Sequence, residues 1–218
     1  MKIGYIFPGQ GTQVIGMGKD IYDKYEEARN VYKMIDNELG ESIETLTYEG
    51  SQEELNKTEN TQIAIYAMSM AILEILKSRE IKPCVAAGLS LGEYSALTCA
   101  GVIDLKEGAK IVRQRGKLMQ NLAPEGNWAM AAIIGLEDEK VEEACSKVTN
   151  GFVKAVNYNC PGQVVVSGEK DAVLQVMDIA KELGAKRAIE LKTSGPFHTE
   201  KLKKASEELR KELEKNQF

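Results

Sequence analysis

The sequence predicts an α/β protein interrupted by an inserted β-α-β-β-α-β unit of the split, ferredoxin-like kind. Three observations carry that expectation. Short apolar runs at 2–7 and 84–88 each stop in a glycine-containing turn and give way to helical periodicity, the alternation expected of α/β folds. The rhythm changes after Pro124 and Gly126, where strand-like and helical segments follow one another in the split β-α-β-β-α-β order. A Ser194-Gly195-Pro196-Phe197-His198 turn then brings the chain back to the first domain.

Residues 2–7 read as a short buried strand stopped by Pro8-Gly9-Gln10-Gly11. Helical periodicity runs over 18–39 and ends at Gly40, a residue that accepts the left-handed conformation of a helix C-terminus. Ser51-Gln52-Glu53-Glu54 is a capping-box pattern and predicts a brief helix. A long amphipathic helix is expected over 61–79, ahead of Pro83. The apolar run 84–88 leads into Gly88-Leu89-Ser90-Leu91-Gly92, and the small and apolar residues of 91–100 predict a buried helix. Asp104-Leu105-Lys106-Glu107 starts another helix, broken near 122 by Pro124 and Gly126. Within the insertion, strands are expected at 128–134, 153–158, 163–167 and 186–191, with helices at 138–148 and 170–183. A last helix puts Leu202, Ala205, Leu209 and Leu213 on one face, and its Lys/Glu run reads as a solvated face. The expected domains are therefore 1–125 with 194–218, and an insertion at 126–193.

Composition narrows the function. The 218 residues suffice for one domain plus an insertion. With 43% hydrophobic and 28% charged residues the chain has a globular balance. Lys+Arg 28 against Asp+Glu 33 gives a net charge of −5. That argues against a nucleic-acid binder and against a peripheral anchor on anionic lipid. The most apolar stretch, 63–76, contains Ser69 and Glu74, so no membrane-spanning helix is expected. The first seven residues are too short and too polar for a signal peptide. Four cysteines without a C-x-x-C fit a reducing cytoplasm. A single histidine excludes H-E-x-x-H and other poly-histidine metal sites, so no metal is expected.

The strongest chemical signal is Gly88-Leu89-Ser90-Leu91-Gly92, a G-x-S-x-G between a strand-like run and a helix. Random placement of the glycines would give about 0.08 such matches in this chain. A reversal that sharp projects the serine beside a helix N-terminus, where backbone N–H groups can hold an oxyanion. A serine hydroxyl needs a base, and His198 is the one imidazole. No third member of a triad is evident, because Asp138, Asp171 and Asp178 fall within the insertion. Arg115 is the third informative residue. At 100° per residue it shares a narrow arc with Ile111, Leu118 and Leu122, whereas Arg113 and Lys117 fall off that arc and are free to be solvated. Arg115 therefore either snorkels along the apolar stripe or meets an anion, such as a substrate carboxylate. Gly9-Gln10-Gly11 lacks the third glycine of a dinucleotide fingerprint, since Val14 stands there, and Gly18-Lys19 lacks the upstream glycine of a P-loop.

These residues resemble the malonyl-CoA:acyl carrier protein transacylases of dissociated fatty acid synthesis. The resemblance runs through Ile6-Phe7-Pro8-Gly9-Gln10-Gly11, the segment from Gly88 to Ala96, and Arg113-Gln114-Arg115-Gly116. It continues through Met130-Ala131-Ala132-Ile133-Ile134-Gly135, Asn157-Tyr158-Asn159-Cys160-Pro161-Gly162-Gln163 and Gly195-Pro196-Phe197-His198. It implies a hydrolase-like parallel-sheet α/β domain with the ferredoxin-like insertion. It also implies that Ser90 is the acylated nucleophile and His198 its base, with the N–H groups of Gln10 and Leu91 as the oxyanion hole. Arg115 would pair with the malonyl carboxylate, and Asn159 and Gln163 would lie in a loop near the site. Malonyl-CoA and acyl carrier protein are the implied partners, with no cofactor. Many family members have histidine at the position of Leu89. Members also continue past this C-terminus, and that continuation would supply a further strand, helices and the group that orients the histidine. Two other readings stay open on the residues alone: a serine thioesterase or esterase sharing Ser90 and His198, and an inactive fragment that only binds a partner.

Overall fold

The computed structural model describes residues 2–191 and 195–215. The fold is α/β, and the chain forms two compact units, Met1–Gln120 with Glu208–Phe218, and Asn121–Glu207. The expected boundary at 193/194, and Ser194 of the returning turn, lie outside the described residues.

In the first unit, β1 (Gly4–Phe7) and β2 (Val85–Gly88) pair in parallel, with Gly4 opposite Val85 and Phe7 opposite Gly88. This register puts the turn after Phe7 and the turn after Gly88 at the same carboxyl edge, where open α/β sheets present their ligand sites. Between the strands run α1 (Lys19–Lys24), α2 (Glu26–Leu39), α3 (Ile43–Tyr48), α4 (Gln52–Asn56) and α5 (Thr58–Ser78). After β2 come α6 (Gly92–Cys99) and α7 (Leu105–Asn121). The single helix expected over 18–39 is two helices, because Tyr25 takes an extended conformation (φ −115°, ψ 127°) and interrupts the ladder. Gly40 closes α2 in the left-handed region, its N–H donating to the Asp36 carbonyl at 2.9 Å. The sequence reading missed α3, whose cap is Ser42: its Oγ accepts from the Thr45 N–H at 3.2 Å. The brief helix expected from the capping-box pattern is α4, and Ser51 caps it, its Oγ accepting from the Glu54 N–H at 3.1 Å, while the Glu54 carboxylate accepts from Lys57 Nζ at 2.6 Å.

The core of this unit gathers Tyr32, Ile35, Ile43, Ile63, Tyr66, Met70 and Leu91. Each such fully buried large side chain contributes about 1.5–3 kcal/mol relative to exposure. Most of α5 is buried, which is why its apolar run lacks a clean polar face. Tyr66 ties three helices together: its hydroxyl lies 2.9 Å from Thr98 Oγ1 on α6 and donates at 3.1 Å to the carbonyl of Leu105, the first residue of α7.

The second unit holds β3 (Trp128–Ile134), α8 (Asp138–Ser146), β4 (Val153–Cys160), β5 (Gln163–Glu169), α9 (Lys170–Glu182) and β6 (Arg187–Glu190). The succession is β-α-β-β-α-β, and the sheet order is β4-β5-β3-β6 with every neighbouring pair antiparallel. Alternate β3 residues Ala129, Ala131 and Ile133 pack with Val164 and Val166 of β5 beneath Val141 and Ala144 of α8 and Val173, Val176 and Ala180 of α9. Two helices therefore cover one face of the sheet. A turn through Phe197 and His198 and a 3-10 turn at Glu200–Leu202 lead into α10 (Lys203–Glu214), which buries Ala205 and leaves its Lys/Glu face in solvent. Among the described residues no helix is long and apolar enough to cross a membrane.

Candidate active site

Ser90 sits in the turn between β2 and α6 with a φ of +53°. A non-glycine residue held there stores about 1–3 kcal/mol of strain, which persists only where its surroundings impose it. The flanking glycines show what imposes it. A Cβ on Gly88 would come within 2.0 Å of the Gly92 carbonyl, and one on Gly92 within 2.2 Å of the Phe7 carbonyl oxygen. The strand end, the helix start and the neighbouring strand meet backbone to backbone at these two positions. Leu89 N–H donates to the Phe7 carbonyl at 3.2 Å and Glu93 N–H to the Ser90 carbonyl at 3.2 Å, which fixes the elbow from both sides.

The Leu91 N–H opens the first turn of α6, and Leu91 itself is fully buried. Gln10 follows Pro8 and Gly9 out of β1 at the same edge of the strand pair. Its loop is anchored by side chains of α4 and α5: Gln10 Nε2 donates to Thr58 Oγ1 at 3.3 Å, and Gln13 Nε2 to Asn56 Oδ1 at 3.1 Å. Gln13 Oε1 also accepts from the Gly11 N–H at 2.8 Å. Among the described residues neither the Gln10 N–H nor the Leu91 N–H meets an acceptor.

Arg115 does not snorkel. It is 9% exposed on α7, and its guanidinium turns inward. One terminal nitrogen donates to Gln62 Oε1 at 2.6 Å and the other to Ser90 Oγ at 3.0 Å. The Tyr94 ring lies 5.5 Å from the guanidinium carbon. Burial lowers the pKa of Arg115, opposed by Tyr94 and by the charge of Glu93. Among the described residues no carboxylate forms an ion pair with it. A buried cation whose direct partners are an amide, a hydroxyl and a ring is incompletely matched, and an incoming carboxylate would complete it.

Arg113 requires a correction. It is not solvated: its side chain is 12% exposed and pairs with Glu41, while Nη1 donates to the Glu59 carbonyl at 2.7 Å and to Asn60 Oδ1 at 3.1 Å. Lys117 reaches the same carboxylate at 3.1 Å. Burial raises the Glu41 pKa, and the bonds from Arg113 and Lys117 outweigh it, leaving the carboxyl below its ordinary value.

His198 belongs to the second unit, in the turn after Pro196, exposed and with a φ of +62°. Thr199 Oγ1 donates to the Pro196 carbonyl at 2.7 Å and accepts from the Lys201 N–H at 3.3 Å, and Phe197 is buried beside it. Among the described residues Ser90, His198 and Glu80 are the non-glycine positions with positive φ. Asn159 and Gln163 do not lie in a loop. Asn159 is the second-to-last residue of β4 and Gln163 the first of β5, on either side of the Pro161-Gly162 turn, and Asn159 Nδ2 donates to Gln163 Oε1 at 3.3 Å. The short turn and the ladder continued to its edge turn the expected loop into a hairpin end.

Gln62 and Tyr94 escaped the sequence reading. The available signal for Gln62 was a glutamine heading the 63–76 apolar run, one helical turn before Tyr66. Among the described residues no cluster of three or more His, Cys, Asp or Glu side chains could hold a metal ion.

The acyl transferase domain family matches residues 4–218. The malonyl CoA-acyl carrier protein transacylase of Haemophilus influenzae is 47% identical over 220 residues, covering 100% of this chain and 70% of that protein. The protein of the same name from Bacillus subtilis is 45% identical over 215 residues, covering 98% of this chain and 68% of that protein. Among solved structures, a malonyl-transacylase in complex with its type II PKS acyl-carrier protein superposes with a TM-score of 0.94 at 43% identity, covering 100% of this chain and 71% of that one. An acyl carrier protein S-malonyltransferase from Vibrio cholerae gives 0.91 at 44% identity, with coverages of 100% and 72%.

Proposed function

We infer the function from one premise: the chain belongs to the acyl transferase domain family and, within it, to the malonyl-CoA:acyl carrier protein transacylases. It is an acyltransferase that moves the malonyl group from malonyl-CoA to acyl carrier protein, in the service of fatty acid synthesis. The single observation that supports this chemistry is the Arg115 guanidinium, buried, paired with no carboxylate among the described residues and 3.0 Å from Ser90 Oγ.

The reaction has two half-steps. Ser90 Oγ attacks the malonyl thioester carbonyl while His198 takes its proton, and the Gln10 and Leu91 N–H groups stabilise the tetrahedral oxyanion. The C–S bond breaks, coenzyme A leaves as the thiol with the proton from His198, and malonate remains as an ester on Ser90. Its free carboxylate pairs with Arg115. The phosphopantetheine thiol of acyl carrier protein then attacks the ester, again with His198 as base, and Ser90 regains its proton. Serine, histidine, backbone and arginine supply every group these steps require, so the reading needs no cofactor. The proposed division keeps residues 1–125 with 194–218 as the acyltransferase domain and 126–193 as the insertion, whereas contacts group His198 with Asn121–Glu207, so by that grouping the base comes from the second unit. Asn159 and Gln163 are proposed to contribute to substrate binding. A reducing cytoplasm is the proposed compartment, in keeping with the free cysteines 84, 99, 145 and 160.

Intact-mass measurement after mixing with malonyl-CoA tests the reading. The expected result is one persistent malonyl adduct that is discharged by holo acyl carrier protein. Rapid release of free malonate would mark a thioesterase instead, and no adduct at all would contradict acyl transfer.

A further inference from the structure

The two inward-turned arginines of α7 are treated differently. Arg113 is given a carboxylate, Glu41, in addition to a carbonyl and an amide oxygen. Arg115, two residues on, is given the side-chain amide of Gln62, which is itself 1% exposed. The amide's orientation is forced by chemistry. A guanidinium only donates, so Oε1 must face Arg115, and Nε2 is left with the thioether of Met119 at 3.3 Å, a weak acceptor. A carboxylate of the same shape at position 62 would make a stronger bond to Arg115 and would also neutralise it. The side chain that stands there holds the guanidinium toward Ser90 without cancelling its charge.

We propose that Gln62 is a positioning residue that sets acyl specificity, fixing Arg115 beside Ser90 while leaving its positive charge for the acyl group's own carboxylate. This rests on the malonyl-transfer reading, and it extends that reading to a residue that never touches the reacting atoms. Selection for an anionic acyl group then depends on the neutrality of Gln62 as much as on the charge of Arg115. A purely structural role gives the opposite expectation, because glutamate at 62 would keep the hydrogen bond and the shape.

The test compares wild type, Gln62→Glu, Gln62→Met and Arg115→Ala in the full chain. It measures kcat/KM for malonyl-CoA and acetyl-CoA together with the thermal midpoint. Gln62→Glu is expected to melt no lower than wild type, since it gains an internal ion pair, yet to lose at least tenfold in its malonyl-to-acetyl ratio. Gln62→Met keeps the volume but releases Arg115, and its smaller loss should fall mainly on KM for malonyl-CoA. A wild-type ratio in Gln62→Glu, with the ratio lost in Arg115→Ala, would overturn the proposal and leave the malonyl reading standing. A wild-type ratio in Arg115→Ala would overturn the reading and the proposal with it. Failure of both Gln62 variants to fold would make the residue a structural anchor and likewise overturn the proposal.

Discussion

In the proposed mechanism Ser90 owes its reactivity to position more than to any special property of its hydroxyl. The left-handed backbone at φ +53° holds it in the β2–α6 turn, directly before the Leu91 N–H, which meets no acceptor among the described residues. Removing the hydroxyl should therefore abolish the chemistry and spare the fold. Ser90→Ala is expected to form no malonyl adduct by intact mass while changing unfolding stability by less than about 1 kcal/mol. An adduct retained in that variant would reassign the nucleophile. The motif that carries Ser90 was legible because its glycines answer to local crowding. The Arg115–Gln62 bond was not, because its partners are 53 residues apart and a helical projection shows which face a side chain occupies, not what it meets there. The same limit explains Arg113, which periodicity sent to solvent and which Glu41, on a connection after α2, draws inward.

At the scale of elements, the elbow depends on backbone contact between the start of α6 and the end of β1. Gly92→Ala would place a methyl 2.2 Å from the Phe7 carbonyl oxygen, and only backbone movement could relieve it. The expected cost is about 2–4 kcal/mol, read as a lower urea midpoint with reduced acylation. An unchanged midpoint would show that β1 and α6 are not held together as described. The Arg113–Glu41–Lys117 cluster pins α7 to the connection before α3, and it makes a pH prediction. The Glu41 carboxyl is lowered in the folded state, so its contribution is present above the ordinary carboxylate pKa of about 4.3 and is lost as pH falls through the lower folded value. Glu41→Gln should therefore destabilise the protein by about 1 kcal/mol at neutral pH, and the difference from wild type should shrink below pH ~4. A difference independent of pH would assign Glu41 a packing role alone. Among the elements themselves, capping residues and glycine stops were readable, as Ser51 and Gly40 show. The break at Tyr25 was not, since nothing in the composition around it disfavours a helix.

On the scale of the whole molecule, the order of strands and helices in the second unit could be read almost residue for residue. Its edges are set by turn residues, and its core by alternate side chains of β3 and β5 packed under the two helices. The parallel pair of the first unit could not be paired from local pattern alone, because β1 and β2 are separated by 77 residues carrying five helices. What joins these scales is the claim that a buried, unmatched arginine beside an elbow serine selects an acyl group with a free carboxylate. The measurement that tests it most directly is kcat/KM for malonyl-CoA and acetyl-CoA in Arg115→Ala and Arg115→Lys. Losing a charge-assisted, partly desolvated pair of about 2–4 kcal/mol should lower malonyl transfer by about 30- to 700-fold in Arg115→Ala. Acetyl transfer, which offers no carboxylate, should fall far less. Arg115→Lys should recover only part of the malonyl rate, since an ammonium cannot present a planar fork. Equal losses on the two substrates would contradict the account and return Arg115 to a structural role.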